Sequence, residues 1–298
     1  MYAVEPIGSL PISASPPYLA PTPSVPSKKA LFLSSREFDG ATIVGSTEVS
    51  TLPASFLQDI QPQKKWRLTS KLGQFLAVTL AGPLACDALA FIAANFTGAA
   101  VCRVIAATAA ASLPASPDFA TPWQSVWPVT GKPNDRDAPS FTCVVRFTNT
   151  SAYQHWRIEI ADIGAETTYI EIGRVLIGVA FRLRIDLNPS LGLTSPDIQA
   201  RTPFGRTYSD HRGDASRRIL VPMQAVNDVA LKRSLFALQR YCGKARDFVF
   251  SLETGAPVDP HLYAMQAQFT DDAQFEAQPF WDANGQVWRT TLSLTEPL

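Results

Sequence analysis

Three histidines and four cysteines are the side chains most able to do acid–base, nucleophilic or metal chemistry, and their spacing argues against all three. His155, His211 and His261 are far apart, and none belongs to an HExxH, GxSxG or Cys–His arrangement. Cys86, Cys102, Cys143 and Cys242 form no CxxC pair, so a zinc or redox site is not expected. The chain has no P-loop and no GxGxxG. Asp135, Asp137, Glu159 and Glu171 could supply a glycosidase-type carboxylate pair, but acids are ordinary on a surface of this size. The expectation is a protein with no catalytic residues, no metal and no cofactor.

What remains are side chains suited to contact rather than reaction. Trp123, Trp127, Phe280 and Trp281 are predicted in loops, where large rigid aromatics serve protein interfaces or sugar rings. Arg201, Arg206 and Arg212, followed by Arg217 and Arg218, form an arginine-rich run whose planar guanidinium groups suit recognition of a neighbour's acids. Arg212-Gly213-Asp214 spells an integrin-binding tripeptide, which the surrounding sequence explains as a turn.

Composition limits the partners. Of 298 residues, 46% are hydrophobic and 17% charged, below the roughly 25% usual for soluble domains. Lys+Arg and Asp+Glu are both 26, which gives no electrostatic case for nucleic acid or an anionic membrane. Low and balanced charge favours an assembled state. No secretory signal is visible. The long apolar run Phe75 to Ala94 contains Gly82-Pro83 and Asp87, so it reads as two buried strands joined by a Gly-Pro turn rather than a membrane span.

Residues 1–30 form a proline-rich arm, with seven of the 24 prolines in its first 29 positions. Such a segment favours extended polyproline conformations and makes no core of its own. From 31 to 187 the pattern is strand after strand. Trp156, Ile158 and Ile160 alternate with His155, Arg157 and Glu159; Val175 to Ile185 alternates likewise, with Arg174, Arg182 and Arg184 predicted to face outward. Residues 111–139 read as a long loop carrying Trp123 and Trp127. Asn188-Pro189, Gly192 and Ser195-Pro196 mark a boundary. Residues 188–298 then read as a smaller α+β unit: strand 217–221, a helix capped by Asn227 with the stripe Leu231, Leu235, Leu238 and Cys242 and a stop at Gly243, then three strands.

Two stretches carry a family resemblance. Leu52-Pro53-Ala54-Ser55-Phe56-Leu57, followed by Lys65-Trp66-Arg67 and an apolar strand, resembles the opening of discoidin-like (coagulation factor 5/8 C-type) jelly rolls, in the versions found in tailed-phage tail proteins. The strand with Trp156-Arg157 and the later Ile172-Gly173-Arg174 is similar to the strands that close such sandwiches. The second unit, ending in Trp288-x-x-x-Leu292-x-Leu294-x-Glu296, resembles the tube-fold domain of distal tail proteins. The resemblance implies a mainly β protein: a jelly-roll sandwich at 31–187 and a tail-tube-like α+β domain with one helix at 188–298. It also implies a structural virion subunit of a phage tail tip, assembled in the bacterial host cytoplasm as a three- or sixfold homo-oligomeric ring beside other tail proteins. The alternative is a carbohydrate-binding module that contacts a host-surface glycan through Trp123 and Trp127.

Overall fold

The computed structural model describes residues 29–128, 131–132, 141–184, 190–194, 198–201, 207–210, 215–223, 229–253, 264–271, 276–282 and 285–297. Residues 1–28 of the proline-rich arm, with Asn227, His211, His261, Arg206 and Arg212, lie outside them, whereas Lys29 and Ala30, expected to end the arm, belong to a strand.

The chain is mainly β. Strand β1 is Lys29–Ser34, followed by the short helix α1 (Arg36–Asp39) and β2 (Thr42–Gly45). A 3-10 turn, Ala54–Gln58, then leads to β3 (Trp66–Arg67), β4 (Gln74–Leu84), β5 (Ala88–Ile92) and β6 (Ala100–Ala107). Next come β7 (Phe119–Ala120), β8 (Gln124–Ser125), β9 (Thr142–Arg146), β10 (Tyr153–Asp162), β11 (Glu171–Ile172), β12 (Arg174–Gly178) and β13 (Ala180–Arg184). The remainder is β14 (Ser190–Thr194), β15 (Ile198–Arg201), β16 (Thr207–Asp210), β17 (Ser216–Met223), helix α2 (Val229–Cys242), β18 (Phe248–Glu253), β19 (Ala264–Phe269), β20 (Glu276–Asp282) and β21 (Gly285–Thr295).

These strands make layers. A six-stranded antiparallel sheet, in the order β2-β4-β10-β6-β7 with β8 also on β6, faces a three-stranded sheet β12-β5-β9. Trp156, Ile158 and Ile160 of β10 lie opposite Val78, Leu76 and Gln74 of β4 and opposite Ala106, Val104 and Cys102 of β6, so one face of the large sheet is apolar. Together with Leu89, Phe91, Val175 and Ile177 they form the core of a β-sandwich.

The eight-stranded sheet runs β13-β1-β18-β19-β21-β17-β14, with β20 on β21. Its central strands are buried on both sides. Leu31, Leu33 and Val249 belong to the sandwich core, whereas Ala30, Phe32, Phe248 and Phe250 belong to a second core with Leu235, Leu238 and Cys242 of α2. The apolar stripe expected of α2 is the side it buries, and Gly243 ends the helix at φ +51°, its N–H donating to Gln239 O.

Several expectations are corrected. The run 174–185 is broken at Val179, which is 46% exposed, and Arg174 points into the protein at 1% exposure rather than outward. Simple alternation assumes one wet face, but β12 is covered on both. Gly82-Pro83 is not a turn: it lies inside β4, at an exposed end where β2 no longer pairs and a missing N–H costs no ladder bond. The turn falls at 85–87 instead. Gly192, read as a pattern breaker, sits within β14, and Phe280 and Trp281, read as loop residues, belong to β20, where Trp281 pairs with Gln286. The residues between β6 and β9 include the two short strands β7 and β8.

All four cysteines are free and buried. Cys86 lies in the β4–β5 turn rather than in a strand, and burial pushes the Cys102 and Cys242 thiols up to about 12. These are packing residues.

Trp66 is completely buried with Leu57 above it in the 3-10 turn, as Pro53 and the apolar pair Phe56-Leu57 lead one to expect. Its indole N–H donates to Thr47 O at 3.2 Å, and Gly45 is required beside it because a Cβ there would lie 2.8 Å from the indole ring. Trp66→Ala is expected to destabilise the fold by about 3 to 5 kcal/mol. Chemical denaturation checks this, and an unchanged midpoint would contradict the buried packing.

Candidate functional site

Two polar constellations stand out among the described residues, one buried and one facing solvent. The buried one centres on Arg174 at the start of β12. Its Nε and Nη2 donate to Asp247 Oδ2 and Oδ1 at 2.6 and 2.7 Å, and Nη2 also donates to Asp39 Oδ1 at 2.8 Å. Nη1 reaches the carbonyls of Asp59 at 3.2 Å and Leu57 at 3.4 Å. Asp247 is 1% exposed and takes a further N–H from Gln266 at 2.8 Å, while Tyr241 OH donates to Asp39 Oδ2 at 3.2 Å.

Burial pushes the Asp247 carboxyl up, and the Arg174 guanidinium opposes that shift. Burial likewise works against the charge on Arg174, but Asp247 and Asp39 outweigh it and hold its pKa above the ordinary range. A cleft of about 430 Å³ opens beside this network, lined by Asp39, Gln58, Asp59, Tyr241 and Arg246. The Tyr241 ring is flanked there by the guanidinium groups of Arg246 at 4.5 Å and Arg36 at 5.9 Å. The donors and acceptors lining the cleft largely satisfy one another. That is the chemistry of a clamp between α1, the 3-10 turn, β12 and the β18–β19 region.

The solvent-facing constellation lies on the outer side of the six-stranded sheet. Alternation along β10 puts Arg157 and Glu159 there, and the antiparallel register sets Glu159 beside Arg103 of β6 and Phe75 of β4. Arg103 donates from Nε and Nη2 to Glu159 Oε2 at 2.9 and 2.5 Å, and Arg157 Nε donates to Oε1 at 2.9 Å. The Arg157 guanidinium lies 3.6 Å from the centroid of the Phe75 ring, and that of Arg103 lies 5.2 Å from the Trp123 ring. The order across the sheet is Phe75, Arg157 with Glu159, Arg103, Trp123. Glu159 is 7% exposed whereas Trp123 is 46% exposed, so the acid sits low and an aromatic face stands in solvent.

Of the predicted contact residues, Trp123 is thus placed at a surface and Trp127 is not. Trp127 is 4% exposed, its indole N–H donates to Thr97 O at 2.6 Å and its ring meets Phe141 edge-on, so it is a core residue. Arg201 lies on β15, which pairs only with β16 among the described residues; its side chain, like those of Phe280 and Trp281, is outside the description. Arg217, from the same run, is paired with Glu296 within its own sheet at 2.6 Å rather than offered to a neighbour. His155 is half-buried and shares a hydrogen bond with Thr79 at 3.2 Å. Arg103 and Phe75 carried no signal in the sequence: only the register of β4, β10 and β6 brings them beside Glu159. No group of three or more His, Cys, Asp or Glu able to hold a metal occurs among the described residues, and no helix there is long and apolar enough to cross a membrane.

No family model and no curated protein matches the chain. Solved structures similar to part of it include carbohydrate-binding modules, lectin domains and a family 89 glycoside hydrolase. The family 32 module from C. perfringens NanJ in complex with galactose is similar at a TM-score of 0.37 and 12% identity, covering 51% of this chain and 99% of that one. Chitosan-binding module 1 of a chitosanase/glucanase from Paenibacillus sp. IK-5 reaches 0.32 at 12% identity, over 46% of this chain and 94% of that one. The lectin domain of lectinolysin complexed with Lewis B antigen reaches 0.33 at 11% identity, over 47% and 93%. At these scores the likeness is one of outline and carries nothing about ligand or activity.

Removing the clamp cation should expose its role. Arg174→Met is expected to cost about 3 to 5 kcal/mol, because Asp247 is left buried without its counter-charge, and Arg174→Met combined with Asp247→Leu should recover a large part of that loss. Urea denaturation of the three proteins checks this; equal midpoints would mean the groups are solvated.

Proposed function

We propose that the protein is a non-catalytic binding subunit that holds carbohydrate on the outer face of its six-stranded sheet. The observation that carries this reading is Trp123, nearly half exposed in the segment just before β8, with its ring 5.2 Å from the Arg103 guanidinium. An exposed indole offers a flat apolar face to the C–H side of a sugar ring, and neighbouring guanidinium donors take its hydroxyls. β8, which follows Trp123 directly, pairs with β6, so the ring is held with little entropy left to lose on binding. A glycan array on the full chain should return at least one bound class, and Trp123→Ala should weaken it at least about tenfold, the loss of one stacked aromatic. No bound glycan, or binding untouched by Trp123→Ala, would sink the reading.

A different observation favours a second reading, a structural subunit of a phage tail tip that joins tail tube to tip proteins within the virion. Strand β14 ends the eight-stranded sheet with its outer edge unpaired among the described residues, and Leu191 and Leu193 on it are 38% and 72% exposed. It carries no proline or charge to blunt that edge. Such an edge suits addition of a strand from a neighbouring subunit, as a three- or sixfold ring would supply. Native mass spectrometry tests it: a ring is expected, and a monomer at every concentration, with Leu193→Lys of no effect on solubility, would contradict it.

A further inference from the structure

The donor count on the outer sheet face narrows the class of glycan. Building on the carbohydrate reading above, we infer that the ligand is an acidic polysaccharide whose sugar rings carry carboxylates, bound by Arg157 and Arg103. Two guanidinium groups here share one carboxylate. Arg157 spends only Nε on Glu159, and Arg103 spends Nε and Nη2. No acceptor among the described residues takes the Nη1 and Nη2 hydrogens of Arg157 or the Nη1 hydrogens of Arg103. The side chains of Arg103 and Arg157 are 35% and 19% exposed against 9% for Glu159, so a ligand arriving at this face meets the cations and not the acid.

The neighbouring positions in register with these on β4, β6 and β10 are Ala77, Thr79, Val101, Ile105, Ala107, His155 and Ala161, of which Ile105 and Ala107 are covered, and none adds a second acid to the two arginines. A surplus guanidinium is charged at any physiological pH, and its planar pair of N–H groups matches a carboxylate in two parallel hydrogen bonds. Arg157 is already fixed for this, because Phe75 holds one face of the group and Glu159 holds Nε. From Phe75 on β4 to Trp123 beside β8 the platform crosses three strand spacings, roughly 14 Å at about 4.8 Å each, long enough to meet more than one sugar of a chain. Trp123 then stacks on one ring while the arginines engage the carboxylate of another.

The test uses three polymers and the full-length chain in affinity electrophoresis or calorimetry: polygalacturonate, its fully methyl-esterified neutral form, and dextran sulfate. Polygalacturonate should bind at least about tenfold more tightly than the ester, the value of one charge-assisted hydrogen bond. Arg157→Gln should remove that preference, and Arg157→Lys, which keeps the charge without the fork, should fail to restore it. Melting curves identify any variant that is merely unfolded, and Arg103→Lys supplies a second, independent loss of the preference. Equal binding of acid and ester, both weakened by Trp123→Ala, would overturn the carboxylate assignment and leave the carbohydrate reading standing. Dextran sulfate bound as tightly as polygalacturonate would also overturn the assignment, as simple ion exchange. Silence toward all three polymers, together with an empty glycan array, would overturn both.

Discussion

A buried arginine cannot shed its charge, so wherever Arg174 goes its acceptors must go with it. Five N–H groups at 1% exposure are met by two carboxylates and two backbone carbonyls, drawn from α1, the 3-10 turn and the segment just before β18. Each of those pieces is fixed relative to the others by the cost of leaving a charge or a donor unpaired in a low-dielectric interior. The second core is tied to the first in the same way. Asp247 and Tyr241 come from the α2–β18 region, and Asp39 and Arg174 from the sandwich, so the ion pair spans the seam where Leu31, Leu33 and Val249 also cross. Hydrophobic burial supplies most of the attraction between the layers; the ion pair sets which arrangement of them is allowed.

A frame held in that manner makes the outer face of the six-stranded sheet a suitable place to bind something. Its inner face is pinned by Trp156, Ile158 and Ile160, and antiparallel pairing on both sides of β10 leaves its side chains little freedom of position. Arg103 and Arg157 share Glu159 in a geometry fixed before any ligand arrives, and that limits the entropy lost on binding. Glu159 is buried and would be costly to leave unpaired, so its pairing with Arg103 and Arg157 also serves the sheet. What the proposed ligand would use is the surplus: two cations for one acid, each beside an aromatic ring.

How much of this could be read from the amino-acid order depends on the kind of environment each residue meets. Where a strand has one wet and one dry face, alternation suffices: it groups Trp156, Ile158 and Ile160 on one face, which is the buried one, and the stripe Leu235, Leu238 and Cys242 identifies the buried side of α2. Where both faces are buried, the rule inverts its answer for polar residues. The same alternation puts Arg174 outward, and its burial is made possible by partners distant in sequence, above all Asp247, 73 positions later. Trp127 fails for a related reason: the segment around it is polar and proline-rich, yet β8 folds it back so that its N–H finds Thr97 O. The arginine–aromatic platform was half legible, since Arg157 and Glu159 alternate outward together, but Arg103 and Phe75 join them through register, which local sequence does not encode.

The claim on which this account turns is that a ligand lies across the outer sheet face and not at the loops or the cleft beside Tyr241. The most direct measurement is a structure of the full chain with a bound oligogalacturonate. A sugar ring stacked on Trp123, with a carboxylate within hydrogen-bond distance of the Arg157 guanidinium, is the predicted result. A ligand seated anywhere else on the protein, with Trp123 and Arg157 still in solvent, would contradict it.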